Sequence, residues 1–272
     1  MRDLSNNKVR VSAVIPTLNE AANLPHVLPL IPACVDELII VDGHSTDDTI
    51  AVAQALCPDV RIILQSARGK GNALACGFAA ASGDIIVMLD ADGSTDPREI
   101  PAFLATLLAG ADFAKGTRFA LGGHSADITP LRRAGNAVLN STVNLLFGSK
   151  YTDLCYGYNA FWSHCLDDMH VTCDGFEVET HINVRMALSG HDVREVPSVE
   201  HERQFGVSKL NALRDGSRVL RTILRERVRA AAGAPEDDWR PSFQELERSS
   251  AGSHLLADWG APAEPRLLTL AA

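Results

Sequence analysis

The feature that most constrains the fold of this chain is an alternation of short apolar runs and helix-length segments in its first half. Compact runs rich in β-branched residues occupy residues 9–15, 37–41, 60–64 and 84–89. Segments of helical length and composition follow them at about 21–31, 46–56, 69–81 and 97–109. Short uninterrupted apolar runs are typical of strands that are buried on both faces. The alternation therefore predicts an α/β fold in which helices flank a mostly parallel central sheet.

The pattern loosens after a further short run at 112–116. It predicts a loop at 120–129, helices at 130–147 and 174–189, a strand at 193–200 and a basic amphipathic helix at 207–229. From residue 203 to 229 there are eight cations against two acids, Asp215 and Glu226. We expect one domain over residues 1–229 that ends in this amphipathic helix, and an acidic, loosely ordered tail over 230–272.

Composition excludes several classes of protein. The 46% hydrophobic and 22% charged residues are those of an ordinary folded protein. A net charge of −9 has the wrong sign for wrapping nucleic acid nonspecifically, so no nucleic-acid partner is expected. The six cysteines form no CxxC pair, which excludes a zinc ribbon or a thioredoxin-like site. No signal peptide and no run of about 18 uncharged apolar residues is present, so we expect a cytoplasmic protein without a spanning segment.

Polar clusters follow the predicted strands. They are PTLNE at 16–20, DGHSTDD at 42–48, RGKGN at 68–72 and DADG at 90–93. The carboxyl ends of parallel strands meet at one rim of a sheet, which is where ligands bind in open α/β folds. Asp90 and Asp92 could both turn toward one Mg²⁺ or Mn²⁺ ion, since carboxylate oxygens suit hard cations. The alternative is a turn in which these aspartates cap the next helix.

Lys70 lies between two glycines at the predicted start of a helix. The glycines allow close backbone approach, and a helix N-terminus favours anions, so this turn could hold a phosphate. The chain has neither a GxxxxGK[ST] phosphate loop nor a GxGxxG after the first strand. ATP hydrolysis and NAD binding are therefore disfavoured.

The ordered motifs VIPTLNE, IIVDGHSTDDT, RGKGNAL and MLDADGSTDP continue into KGTRF at 115–119 and TDLCYGYNAF at 152–161. This set resembles family 2 glycosyltransferases of the GT-A (Rossmann-like) fold, in particular polyprenyl- or dolichyl-phosphate mannosyl- and glucosyltransferases, over about residues 9–215. The resemblance implies an inverting, metal-dependent enzyme that moves a hexose from a UDP- or GDP-linked donor to polyprenyl phosphate. Residues 9–116 would then bind the nucleotide sugar and 117–229 the acceptor, in peripheral contact with the inner face of the membrane.

The resemblance also implies roles for single residues on the donor side. Donor binding would fall to Pro16, Thr17, Asn19, Glu20, Asp42, Lys70, Asp90 and Asp92. Asp90 and Asp92 would hold Mg²⁺ or Mn²⁺, and Asp92 would serve catalysis. Many relatives carry Gln as a further metal ligand where this chain has Ser94, so His201 is a candidate for that role. A packed or solvated His201 is the alternative.

Further residues are candidates for the transfer step and for the acceptor. Glu177 and Glu179 lie near the position where many family 2 enzymes place an acidic base, although both could instead stabilise a helix N-terminus. An acceptor phosphate is already ionised and needs no strong base. Guanidinium groups bind phosphate oxygens in pairs. The acceptor or phosphate candidates are Arg118, also assigned to catalysis, with Arg132, Arg133, Arg203, Ser208 and Lys209.

Three alternatives stay open from sequence. The same fold could glycosylate a soluble acceptor, such as a phosphoglycerate or a natural-product hydroxyl, which Ser94 and the lack of membrane helices favour. A sugar nucleotidyltransferase also uses a GTR sequence, but its loop belongs directly after the first strand, where this chain has PTLNE. A noncatalytic nucleotide-sugar-binding module would be expected to lack the carboxylates that this chain retains.

The basic helix could pack on the domain or also touch anionic lipid. The oligomeric state is open.

Overall fold

The computed structural model describes residues 8–206, 212–233 and 240–246, with the side chains of 212 and 213 excepted. Its strands are β1 (Val11–Thr17), β2 (Glu37–Asp42), β3 (Arg61–Leu64), β4 (Ile85–Met88), β5 (Phe113–Thr117), β6 (His124–Ser125), β7 (Asn159–Trp162), β8 (Val193–Pro197), β9 (Val199–Glu200) and β10 (Gln244–Leu246). Its α-helices are α1 (Leu24–Val27), α2 (Thr49–Leu56), α3 (Lys70–Ala80), α4 (Ile100–Leu108), α5 (Pro130–Phe147), α6 (Leu166–Met169), α7 (Val178–Ser189) and α8 (Ala212–Ala232).

The central sheet has eight strands in the order β10-β3-β2-β1-β4-β7-β5-β8. Parallel pairs join β1 to β2 and β4, β2 to β3, and β5 to β8. Two strands run antiparallel: β7 against β4 and β5, and β10 against β3. The predicted α/β class with a mostly parallel sheet is confirmed.

Both faces of the sheet are covered, as the apolar runs predict. Alternate residues of β1 point to opposite sides, so Ala13 and Ile15 join one buried cluster with Phe103 of α4, whereas Val14 joins another with Phe78 of α3. A third cluster packs α5 and α8 beside α7 through Val143, Val184, Val219 and Ile223. None of the described helices is long and apolar enough to cross a membrane.

Strand β7 is the main element that the sequence pattern misses. It lies between β4 and β5, so a strand from the second half of the chain divides two strands of the first half. Asn159 of β7 pairs with Met88 of β4, which is far away in sequence. The halves at 9–116 and 117–229 therefore share one sheet.

The predicted tail also differs from the structure where it is described. Residues 244–246 form β10, which pairs with β3 at the edge of the sheet. The Arg61 guanidinium binds the Glu245 carboxylate at 2.8 Å. Within the predicted tail, residues 244–246 therefore have a defined place at the edge of the sheet, and a strand of three residues is too short to leave a periodic signal in the sequence.

Some boundaries move as well. The helix predicted at 21–31 is only one turn, Leu24–Val27, followed by a 3₁₀ turn at Leu28–Leu30, with a proline near the start of each. The helix predicted from 174 begins at Val178, and the strand predicted at 193–200 is divided into β8 and β9. Helix α8 extends to Ala232, and the predicted start of this helix at 207 lies outside the described residues.

Candidate active site

A cavity of about 560 Å³ opens at the carboxyl edge of the parallel strands. Ten of the residues singled out in the sequence line it: Pro16, Thr17, Glu20, Lys70, Asp90, Asp92, Arg118, Arg132, Glu179 and Arg203. The rule that strand ends meet at one rim therefore brings together most of the predicted donor-binding residues.

The floor of the cavity is a partly buried cluster formed by one lysine and two carboxylates. Lys70 Nζ lies 2.6 Å from Asp90 Oδ1 and 2.7 Å from Glu179 Oε1. Burial alone would lower the pKa of the Lys70 ammonium, but the two carboxylates raise it above its ordinary value. Burial raises the pKa of the Glu179 carboxyl, and Lys70 opposes that shift. Lys70 is therefore a permanent cation held between two acids from distant parts of the chain.

Glycines at three positions allow this cluster to form. A Cβ at Gly71 would lie 2.0 Å from the carbonyl oxygen of Cys173, so only glycine lets the start of α3 approach the segment before α7. Gly69 meets Asp174 in the same way and has φ +103°. A Cβ at Gly157 would lie 3.0 Å from Lys70 Nζ. Gly157 belongs to the TDLCYGYNAF segment at 152–161, but the sequence does not predict that it lies against Lys70.

Asp92 is paired with Arg203 above this floor. Arg203 Nη2 lies 2.6 Å from Asp92 Oδ2, and Asp92 Oδ1 accepts hydrogen bonds from the backbone and the hydroxyl of Ser94. The backbone N–H of Gln204 donates to the Asp92 carbonyl at 3.3 Å. The segment that follows β9 is thus fastened onto the DADG turn.

The side chains around Asp92 show whether this part of the cavity suits a divalent metal ion. Asp92 and Ser94 offer the hard oxygen atoms that Mg²⁺ and Mn²⁺ prefer, at the wall of the cavity. The carboxylate of Asp90 is engaged by Lys70. His201 is exposed, and its backbone N–H donates to the Ser94 carbonyl at 2.8 Å. Within the described residues, Asp90, Asp92 and His201 do not form a group with ligand atoms all within 4.8 Å. Both Asp90 and Asp92 are thus paired with a cationic side chain in this structure, and the metal roles of Asp90, Asp92 and His201 stay predictions.

Asp42 and Asn19 shape the loops beside the cavity and are not among the residues that line it. Asp42 is buried, and its Oδ2 accepts a hydrogen bond from the Ser45 N–H at 2.7 Å. Asn19 has φ +59°, and its side-chain oxygen accepts from the Thr46 N–H at 2.7 Å. In this structure both residues fix the β2–α2 loop against the end of β1.

Arg118 is buried between two carboxylates. Its guanidinium donates to Asp153 at 2.7 and 2.9 Å and to both oxygens of Glu200 at 3.0 Å, and it lies over the Tyr156 ring at 4.9 Å. Burial would lower the pKa of Arg118, but the two acids raise it. A phosphate would have to displace one of these partners, so the geometry favours a role in which Arg118 holds the cavity wall.

We expect Asp153→Asn to lower the free energy of unfolding by roughly 3–5 kcal/mol, because it leaves the buried Arg118 charge partly uncompensated. Burial would raise the pKa of Asp153, but Arg118 lowers it below the ordinary 3.8. Its stabilising contribution is therefore present above pH 3.8 and is lost as the pH falls through the lower pKa of the folded state. Urea unfolding at pH 7, 5 and 3.5 measures this difference.

The matched control for that experiment is Asp127→Asn, which breaks the more exposed 3.4 Å pair with Arg132. Exposed pairs contribute little, so its unfolding curve should nearly coincide with that of the unmodified protein. Equal, small effects of both substitutions would contradict a buried network at Arg118.

The remaining predicted residues are placed as follows. Glu179 lines the cavity, whereas Glu177 does not and packs against Gly175. Arg132 lines the cavity and pairs with Asp127, and the Arg133 guanidinium lies 5.3 Å from the centre of the Phe119 ring. Ser208 and Lys209 lie outside the described residues.

One wall of the cavity is apolar, which the sequence does not predict. Ile128, Leu131 and Leu139, in and before α5, line it together with Val219 of α8. Helix α8 also contributes Arg214 and Arg218. The sequence predicts a helix at 130–147, and the prediction of a helix alone does not tell which of its residues border a cavity.

The fold and the carboxylate-rich cavity at its rim define a GT-A glycosyltransferase. The family model for Glycosyl transferase family 2 matches residues 12–168, and the chain belongs to this family. Glycosyltransferase AglJ of Haloferax volcanii is 31% identical over 79% of this chain and 71% of its own length. Polyprenol monophosphomannose synthase of Mycolicibacterium smegmatis is 33% identical over 74% of this chain and 81% of its own length.

Solved structures give the same class. Glucosyl-3-phosphoglycerate synthase from Mycobacterium tuberculosis, crystallised with Mn²⁺, UDP and glucosyl-3-phosphoglycerate, is similar to this structure with a TM-score of 0.62. It is 25% identical, and the match covers 88% of this chain and 86% of the other. The prediction of a family 2 glycosyltransferase is confirmed, whereas these relatives differ in the acceptors that their names imply.

Proposed function

We propose that this glycosyltransferase moves a hexose from a nucleoside-diphosphate sugar to a polyprenyl phosphate, with inversion and with the help of Mg²⁺ or Mn²⁺. The observation that carries the proposal is that one cavity joins a charged floor to an apolar wall. The floor contains Lys70, Asp90 and Glu179, Asp92 lies above it, and the wall contains Leu131 and other residues of α5. A donor of charged phosphates and an isoprenoid acceptor need those two surfaces side by side.

The apolar wall continues onto the outer face of α5. Leu131, Val138 and Leu145 are spaced seven residues apart, which places them on one side of the helix, and they are 68%, 65% and 84% exposed. Leu220 and Leu224 of the packed helix α8 are also exposed. Cationic side chains of Arg214 and Arg218 border the cavity on the same side. This surface suits an isoprenoid chain whose phosphate lies inside the cavity, and it supports peripheral contact with the cytoplasmic face of a membrane.

The transfer step follows from the charges. An oxygen of the acceptor phosphate attacks the anomeric carbon, the bond from that carbon to the diphosphate breaks, and its electron pair leaves with the nucleoside diphosphate. The acceptor oxygen is already ionised at neutral pH, so positioning matters more than a general base. Glu179 then serves to hold the Lys70 ammonium in place. A divalent ion held by Asp92 would neutralise the charge that develops on the leaving group.

The test is transfer of labelled hexose from UDP- and GDP-sugars by the purified chain with Mn²⁺. Undecaprenyl phosphate and 3-phosphoglycerate are offered in separate reactions. We expect the label to move into an organic-extractable product only with the lipid phosphate. Label that stays in an aqueous product with phosphoglycerate would establish the soluble-acceptor alternative, which the similarity to glucosyl-3-phosphoglycerate synthase favours.

A pair of variants tests the apolar wall in the same assay. Leu131→Ser is expected to raise the KM for polyprenyl phosphate and to leave the KM for the donor unchanged. The matched control is Leu108→Ser, an exposed leucine of α4 that does not line the cavity. Equal effects of the two substitutions on the lipid KM would contradict an acceptor site along α5.

A further inference from the structure

A second cluster of metal-binding side chains lies at the edge of the sheet opposite the cavity. It contains His164 and Cys165, which follow β7, and His191, which precedes β8. One nitrogen of each ring and the Cys165 sulfur all lie within 4.8 Å of one another. Within the described part of the chain, no other group of three potential ligands comes this close together.

Asp112, immediately before β5, supplies a carboxylate to the same place. Its Oδ1 lies 3.4 Å from His164 Nε2, and its Oδ2 lies 3.7 Å from His191 Nδ1. The Asp112 carboxylate thus lies beside two of the three ligands, His164 and His191. The four side chains come from the starts of β5 and β8 and from the turn after β7, which pair with one another in the sheet.

The tautomer of His191 is set by a further carboxylate. His191 Nε2 lies 3.0 Å from Asp168 Oδ2. An ionised carboxylate only accepts, so the shorter contact to Asp168 favours a proton on Nε2 in the neutral ring and leaves the Nδ1 lone pair on the side of Asp112. Histidine ligands to metals are usually oriented by such a carboxylate on the other nitrogen. This contact is independent of the proximity of the three ligands.

The donor set selects the kind of ion. Two imidazoles, a thiol and a carboxylate match tetrahedral Zn²⁺, whereas Mg²⁺ and Mn²⁺ prefer sites made of oxygen. A bound cation favours the thiolate, so binding would release a proton.

We propose that His164, Cys165, His191 and Asp112 bind a structural Zn²⁺ ion that fastens the starts of β5 and β8 to the turn after β7. The site is separate from the cavity, since none of the four residues lines it. Its occupancy would stabilise the folded state, because an ion that binds only the folded chain raises the free energy of unfolding. The proposal does not depend on which sugar or acceptor the enzyme uses.

The experiment uses the full chain without a histidine tag, stripped of metal with a chelator and then titrated with Co²⁺ and Zn²⁺. We expect one Co²⁺ per chain with a thiolate-to-cobalt charge-transfer band, displacement of that band by Zn²⁺, and a rise in Tm with Zn²⁺. His191→Ala and Cys165→Ser should each abolish the band. Asp168→Asn should weaken Zn²⁺ binding by roughly 10–100-fold.

The matched control is His124→Ala, which removes an exposed histidine elsewhere in the fold. It should bind Co²⁺ as the unmodified chain does. If His191→Ala does not fold, Cys165→Ser alone decides the matter, since an oxygen in place of sulfur keeps the size of the side chain. A charge-transfer band that persists in Cys165→Ser, or no stoichiometric binding by the unmodified chain, would overturn the proposal.

Discussion

Replacing Asp92 by Asn is expected to lower the kcat for hexosyl transfer by roughly 10²–10⁴-fold, because a metal ion supplies several kcal/mol of charge stabilisation and each 1.36 kcal/mol is tenfold in rate. Asp92 is 8% exposed and lies at the cavity wall beside Arg203 and Ser94. The neutral amide keeps the shape of the side chain and loses its charge. Initial rates at saturating donor and Mn²⁺, with the Tm as a check on folding, measure the effect.

The dependence on Mn²⁺ separates the metal role from simple pairing with Arg203. If Asp92 holds the ion, Asp92→Asn needs a higher Mn²⁺ concentration for half-maximal rate. The matched control is Asp59→Asn, an exposed aspartate outside the cavity, which should keep the full rate. Full activity of Asp92→Asn at the usual Mn²⁺ concentration would contradict the mechanism proposed here.

The position of this site can be predicted from the sequence because the carboxyl ends of parallel strands meet at one rim of the sheet. PTLNE, RGKGN and DADG lie far apart along the chain, yet a parallel sheet brings Pro16, Lys70 and Asp92 to one rim whatever the lengths of the connections. The burial of the strands can also be predicted, because each apolar run by itself indicates a strand that is covered on both faces. The predicted α/β class and most of the donor side of the cavity follow from these two facts.

The sequence does not predict which charged side chains pair with one another in the fold. Lys70 pairs with Glu179 and Arg118 with Asp153 across long stretches of chain, and each pair depends on how α7 and β7 pack. Strand β7 itself enters the sheet antiparallel, which strand–helix alternation does not anticipate. Arg118 shows the consequence: its charge suggests a phosphate ligand, and only the structure reveals that two carboxylates already hold it.

Lys70→Met is expected to abolish transfer and to lower the free energy of unfolding at pH 8 by roughly 3–5 kcal/mol. The substitution keeps much of the side-chain volume and removes the ammonium that lies between Asp90 and Glu179 at 2.6 and 2.7 Å. Two carboxylates would then face each other, with Glu179 buried and its charge uncompensated. Urea unfolding and the transfer assay measure the two effects.

The loss of stability should shrink as the pH falls, which distinguishes a charge effect from a packing effect. Burial already raises the pKa of Glu179 in the presence of Lys70, and removing Lys70 raises that pKa further. A carboxyl whose folded pKa is raised favours the folded state at low pH, and this contribution is lost as the pH rises through that pKa. Lys70→Met should therefore be closest in stability to the unmodified protein near pH 5. Lys8→Met, which breaks the exposed pair with Asp36, is the control and should show a small effect. A loss in Lys70→Met that is the same at pH 5 and pH 8 would mean that lost packing, and not uncompensated charge, causes it.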